Sequence, residues 1–185
     1  MNLLRAVDYV RTPWKNGGGS TLEICRDQGE GLDGFGWRLS IADIDQGGPF
    51  STFAGYERII TVLEGEGMRL RVDGASSGAL LAFEPFAFSG DSAVSCELID
   101  GPIRDFNLIY SPVRFTARLQ WLNSDAPLQL NESDKTLIVF AAGPRAQVEA
   151  AGNTVVLQRH DTLVLPSAPT AQVTGHCCVI ALSAC

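Results

Sequence analysis

Apolar positions in this chain recur in short runs, many alternating with polar ones, and the runs are bounded by Gly, Pro, Asp or Asn. They cover residues 35–44, 56–63, 68–72, 94–99, 103–110, 115–122, 137–142, 154–157, 162–165 and 177–182. Runs of this length with turn residues roughly every ten positions predict an all-β sandwich or barrel. No window of about a dozen residues carries an i, i+3, i+4, i+7 apolar stripe, so helices are expected to be few and short. The polar, turn-rich stretch at residues 123–135, NSDAPLQLNESDK, reads as a connection between a larger first part and a smaller second one.

Alternation also assigns faces. Trp37, Leu39 and Ile41 share one face of their run, and Arg38, Ser40 and Ala42 share the other, which meets either solvent or a cavity. Arg58 shares a face with Tyr56, Ile60 and Val62. That company is too apolar for an exposed guanidinium, and such an arginine needs an acidic partner or an anionic ligand. Asp105 and Asn107 interrupt an apolar run on the face opposite Phe106 and Leu108, where Asp105 either pairs with an arginine or serves a ligand.

Composition narrows the partners. The 185 residues are 45% apolar and 19% charged, which excludes disorder for the bulk of the chain. With 14 Lys and Arg against 21 Asp and Glu, the net charge of -7 repels polyanions, so neither nucleic acid nor an anionic membrane is an expected partner. Every basic residue except Lys15 and Lys135 is Arg, a bias toward planar, bidentate anion contacts. No apolar stretch reaches the length of a signal-peptide core or a membrane span, and a cytoplasmic protein is expected. Five cysteines without CxxC spacing, beside only 2 histidines, predict free thiols and no metal site.

The most unusual segment is Pro13-Trp14-Lys15-Asn16-Gly17-Gly18-Gly19-Ser20-Thr21. Three glycines flanked by donors suit an anion-binding loop, and equally a flexible turn between two strands. A P-loop is excluded, because its lysine directly follows the last glycine and a helix comes next. The chain has no G-x-S-x-G elbow, and His176 and Cys177, adjacent on a strand, point to opposite faces. His160-Asp161 reads as a turn.

Trp14-Lys15-Asn16-Gly17-Gly18-Gly19, Gly36-Trp37-Arg38-Leu39-Ser40, Gly48-Pro49-Phe50-Ser51 through Gly55-Tyr56-Glu57-Arg58, Leu63-Glu64-Gly65-Glu66-Gly67 and Asp105-Phe106-Asn107-Leu108 follow in that order. This constellation resembles the HutD/Ves family over residues 11–110, and more faintly to the C-terminus. The resemblance implies a bicupin, two cupin-like β-sandwich barrels in one chain. Residues 1–122 would form an N-terminal barrel with a ligand pocket, and residues 123–185 a smaller barrel completed by strands from the N-terminal part. Metal cupins carry a histidine pair and a glutamate in the first motif and a third histidine in the second. Residues 50–58 and 105–107 here hold no histidine, so a pocket without metal or other cofactor is implied.

The same resemblance implies a small-molecule-binding protein that modulates histidine utilisation by sensing a carboxylate, with N-formylglutamate and urocanate as candidates. Carried over by motif as ligand-binding residues are Trp14, Lys15, Asn16, Trp37, Arg38, Ser40, Arg58, Asp105 and Asn107. Lys15, Arg38 and Arg58 would hold the carboxylate, and Trp14 and Trp37 would wall the pocket. Two alternatives stand beside this. One is a metal-independent lyase, isomerase or hydrolase on a related acid, with Lys15 or Glu23 carrying the proton. The other is an interaction protein, such as a homodimer, whose cavity is vestigial. The Ves branch, linked to stress response, shares the motifs.

Overall fold

Nearly every alternating run becomes a strand in the computed structural model, which describes residues 1–30, 34–131, 135–166 and 170–185. The strands among the described residues are β1 (Asn2–Leu4), β2 (Val10–Pro13), β3 (Gly19–Arg26), β4 (Trp37–Ile44), β5 (Gly48–Pro49), β6 (Glu57–Glu64), β7 (Met68–Val72) and β8 (Ala75–Leu80). They continue with β9 (Phe86–Ser89), β10 (Val94–Leu98), β11 (Ile103–Tyr110), β12 (Phe115–Asn131), β13 (Thr136–Ala150), β14 (Asn153–Gln158), β15 (Thr162–Pro166) and β16 (Thr170–Ala184). The one helical element among them is a 3-10 turn at Ala6–Asp8. The protein is all-β.

The strands divide into two compact units. One comprises Met1–Tyr9 and Arg114–Cys185, the other Val10–Val113. In the first, a single sheet runs β1-β15-β13-β16-β12, with β14 also paired to β13. Leu137, Val139 and Ala141 pack there with Leu163, Val173 and Cys177. Asp161 fastens the N-terminal segment to this unit, accepting hydrogen bonds from the Ala6 N–H at 2.9 Å, Arg5 at 2.6 Å and the Gln158 N–H at 3.0 Å. His160, beside it, takes a positive φ of 68° in the turn that its sequence predicted.

The second unit holds a four-stranded sheet, β5-β10-β7-β8, and a six-stranded sheet, β2-β3-β4-β11-β6-β9. Ile44, Ile60 and Val62 of the larger sheet share one core with Met68, Leu70 and Cys96 of the smaller. Burying such side chains contributes about 1.5–3 kcal/mol each. In neither unit does a described sheet pair its first strand with its last.

One expectation about local structure changes. Residues 123–131, read as part of a connection, continue β12, while residues 132–134 lie outside the described residues. The register of β12 against β16 shifts between Ser124 and Leu128, where Pro127 sits. A proline lacks the ladder N–H and is accommodated at bulges and sheet edges, and β12 is an edge strand. The Gly143-Pro144 segment lies inside β13, again at a register shift, between Ala141 and Ala146. Phe86–Ser89 pairs with β6.

Candidate functional site

Register brings the polar residues of the six-stranded sheet together on one face. Ser40 lies between Glu23 and Asn107 across three strands, and Ala42 lies between Thr21 and Asp105. Ile109 of β11 faces Arg38 on one side and Arg58 on the other. Because strand side chains alternate, these residues project together, while Leu39, Ile41, Phe106 and Leu108 project from the opposite face and are fully buried. The polar face borders a cavity of about 730 Å³. Trp14, Phe50 and Phe53 supply apolar walls.

Arg58 is the centre of this wall, with 7% of its surface exposed. Its guanidinium carbon lies 5.4 Å from the ring centres of both Phe50 and Phe53 and 5.0 Å from that of Phe88, within range of cation–π attraction. Nη1 donates to the Ser51 carbonyl at 3.2 Å and Nη2 to Asn107 Oδ1 at 2.7 Å. Asn107 passes the contact on, its Nδ2 donating to Asp105 Oδ2 at 3.1 Å. Burial lowers the Arg58 pKa to about 10, against the pull of Asp105. Burial likewise pushes Asp105 up to about 7, although Arg58, the Asn107 amide and the Ala42 N–H draw it down. Arg58 Nε and Asp105 Oδ1 are both buried with no hydrogen-bond partner.

Arg38 is held differently. Its Nε donates to Glu23 Oε2 at 2.8 Å, and Glu23 also receives Arg26. Burial acts to raise the Glu23 pKa, but the hydrogen bonds from Arg26 and Arg38 outweigh it and hold the carboxyl below the ordinary range. Arg26 and Arg38 thus hold Glu23 in its carboxylate form. Farther along β4, Asp43 pairs with Arg11 and with Arg104, the latter at 2.6 Å.

The glycine segment is a hairpin turn. The Trp14 N–H donates to the Gly19 carbonyl at 2.9 Å, the Gly17 N–H to the Trp14 carbonyl at 3.1 Å, and the Gly18 N–H to Asn16 Oδ1 at 3.0 Å. Gly17 takes φ +72°, and a Cβ on Gly19 would stand 2.2 Å from the Asp43 carbonyl oxygen. The N–H groups of Gly17 and Gly18 are thus spent within the turn. The turn reading accounts for the glycines, and Trp14, Lys15 and Asn16 are the residues of this turn that line the cavity. Trp14 is oriented by its indole N–H, which donates to Thr21 Oγ1 at 2.8 Å.

Of the nine residues expected at the site, Trp14, Lys15, Asn16, Arg38, Ser40, Arg58, Asp105 and Asn107 line this one cavity. Trp37 does not: it belongs to the opposite face of β4, as its alternation with Arg38 requires, and is 7% exposed. The face of Arg38 and Ser40, left open between solvent and cavity, meets the cavity. Glu23 and Arg26 also line it, as do Phe50 and Phe53. Arg26 gave no sequence signal, since its position beside Glu23 depends on a register shift in β3. Among the described residues, no group of three or more His, Cys, Asp or Glu is placed to hold a metal ion. No described helix is long and apolar enough to cross a membrane.

The HutD family matches residues 6–180. The chain belongs to the HutD family. It is 58% identical over 186 residues to an uncharacterised 21.2 kDa protein in the hutC 3' region of Pseudomonas putida, covering 98% of this chain and 97% of that one. The solved structure of HutD from Pseudomonas fluorescens SBW25, in a formate condition, is 53% identical with a TM-score of 0.89, covering 100% of this chain and 98% of that one. Protein Ves of Escherichia fergusonii is 42% identical over 97 residues, 52% of this chain and 50% of that one. Beyond these HutD and Ves relatives, a salicylate 1,2-dioxygenase from Pseudaminobacter salicylatoxidans matches with a TM-score of 0.56 at 10% identity, covering 80% of this chain and 70% of that one, a likeness of fold alone.

Proposed function

We propose that this HutD-family chain is a metal-free bicupin whose cavity binds a small carboxylate metabolite and thereby modulates histidine utilisation in the cytoplasm. The observation that carries the reading is Arg58: a guanidinium set among three phenylalanines at a cavity wall, with no carboxylate hydrogen-bonded to it. Arg38 adds a second cation, since among the described residues its side chain hydrogen-bonds only through Nε, to Glu23. A carboxylate between planar guanidinium groups gains charge-assisted, bidentate hydrogen bonds. The name HutD borne by the Pseudomonas fluorescens structure and the hutC 3' region of the Pseudomonas putida relative support the pathway. N-formylglutamate and urocanate are the candidates.

A thermal-shift and calorimetric screen against urocanate, N-formylglutamate, imidazolone propionate, glutamate, formate and histidine tests this. A ligand at about 100 times its Kd adds roughly 2.7 kcal/mol of stability. Saturable stabilisation without product is expected, and no shift from any of the six removes the reading. Asp105 favours one second reading, an acid–base enzyme on a related acid, because a carboxyl with a pKa of about 7 exchanges its proton near neutrality. Product formed in proportion to protein, and abolished in Asp105→Asn, would select it.

A further inference from the structure

Arg58 and Asp105 carry opposite charges on one face of the six-stranded sheet, yet they do not bond. Only the neutral Asn107 amide joins them, its Oδ1 accepting from Arg58 Nη2 at 2.7 Å and its Nδ2 donating to Asp105 Oδ2 at 3.1 Å. Asp105 is wholly buried and its Oδ1 has no partner, so an anion in the cavity does not touch it. At its own register stand Ala42 of β4 and Val62 of β6. The Cys96 thiol of β10, pushed up to about 12 by burial first and the Asp105 charge second, stays neutral. The charges that act on Asp105 are Arg58, which favours the carboxylate, and Asp43, which opposes it and is itself paired with Arg11 and Arg104. Glu23 of β3 and Arg38 of β4 answer each other. A buried carboxyl with no cation bonded to it gains by keeping its proton, and burial places Asp105 at about 7.

Arg58 therefore has two claimants on its charge. One hydrogen on Nη1 goes to Ser51 and one on Nη2 to Asn107, and each nitrogen keeps a second. An anion settling on those hydrogens offsets the field that favours an ionised Asp105, and adds a negative charge of its own. We propose that the cavity takes up a proton together with its anion and that Asp105, behind the wall, is the group that receives it. Binding is then tighter in mildly acid than in alkaline solution. The inference rests on reading the cavity as a carboxylate site, and concerns what controls that site. The charges balance: the anion brings one negative charge, the proton comes from solvent, and Arg58, Asp105 and the anion together stay neutral. Without the proton, two negative charges would share one buried guanidinium among phenylalanines, and burying an uncompensated charge is costly.

Formate and N-formylglutamate are the probes, because their own carboxyls are ionised above about pH 5 and any proton taken up then belongs to the protein. At constant ionic strength, their Kd on the intact wild-type chain is expected to rise about fivefold or more between about pH 6 and about pH 8.5, as a roughly tenfold weakening of Asp105 as an acid requires. Calorimetry at about pH 7.5, in buffers of different ionisation enthalpy, should show uptake of about half a proton per anion bound. Asp105→Asn should abolish both the slope and the uptake. Neither His160 nor His176 belongs to the unit that holds the cavity, and Arg26 and Arg38 hold Glu23 in its carboxylate form. Carboxyl-carbon NMR of the wild-type chain gives a readout that does not need the variant to fold: the Asp105 titration should move to higher pH when formate saturates the cavity. A Kd flat across the range, an Asp105 titration that formate leaves in place, or uptake that persists in folded Asp105→Asn overturns the inference and leaves the carboxylate reading standing. If neither probe binds at about pH 6, the carboxylate reading falls first and this inference with it.

Discussion

Arg38 and Glu23 are joined across neighbouring strands, Nε to Oε2 at 2.8 Å, with no ligand required to hold them. The two arginines at the cavity therefore differ in kind. Arg38 has its charge answered by a directly bonded carboxylate that also receives Arg26, whereas Arg58 hydrogen-bonds only to neutral acceptors, lies against aromatic faces, and feels the Asp105 carboxyl without bonding to it.

Replacing Arg38 with Ala should leave the fold intact, because Glu23 keeps Arg26. Carboxylate affinity should fall by on the order of 2 kcal/mol, the low end of the range for unpairing a buried charge. Calorimetry on the folded variant measures it. Unchanged affinity would remove Arg38 from the binding site.

The pH dependence of stability follows from opposed shifts. Asp105 has a folded pKa of about 7, above its unfolded value, so the native state holds the extra proton between about pH 4 and 7 and stability declines as pH rises through that window. The slope is as much as ~1.4 kcal/mol per pH unit. Burial is the cause, moderated by Arg58, the Asn107 amide and the Ala42 N–H and reinforced by Asp43. Glu23, Asp43 and Asp161 are shifted down by their hydrogen-bonding partners despite burial, and their contribution is present above the unfolded carboxyl pKa and lost as pH falls below it. Stability should peak on the acid side of neutrality. Urea midpoints across this range check it, with Asp105→Asn predicted to flatten the decline toward neutral pH; a flat wild-type profile there would contradict the assignment.

The three glycines of the turn should differ in tolerance. Gly19→Ala places a Cβ 2.2 Å from the Asp43 backbone oxygen and should destabilise by about 2 kcal/mol or more. Gly18→Ala meets only an ordinary contact at 3.5 Å with Asn16 and should cost within about 1 kcal/mol. Gly17→Ala, at φ +72°, should cost about 1–2 kcal/mol. Chemical denaturation of the three variants gives the order, and equal costs at residues 18 and 19 would refute the close approach.

Asp161→Ala removes one acceptor from three donors, Arg5, the Ala6 N–H and the Gln158 N–H. A loss of about 2–4 kcal/mol is expected, since three hydrogen bonds to a buried carboxylate are removed together. Hydrogen exchange should show the Ala6 amide losing protection. Retained protection would mean that the N-terminal segment is held by β1 pairing with β15 alone.

The polar interruptions of apolar strands were legible in the sequence. Arg58, Asp105 and Asn107 each broke a hydrophobic pattern, and each lines the cavity, because a fold retains a charge among apolar neighbours only where something answers it. Trp37 shows the limit of motif reasoning. It sits beside Arg38 in the motif, yet period-two alternation sends it to the other face. Polar edge strands were equally hard to read: residues 123–131 look like a loop because one side of β12 needs no apolar partner.

By itself the sequence determined the all-β class, the family and the faces of the central strands, because these depend on local alternation and on motifs contiguous in the chain. Only the tertiary structure decided that Glu23 holds Arg38 and Arg26, that the glycine turn spends its own N–H groups, and that Asp105 keeps an unanswered oxygen beside Asn107. Those are outcomes of strand register and burial, and register is set by pairing between segments far apart in the chain.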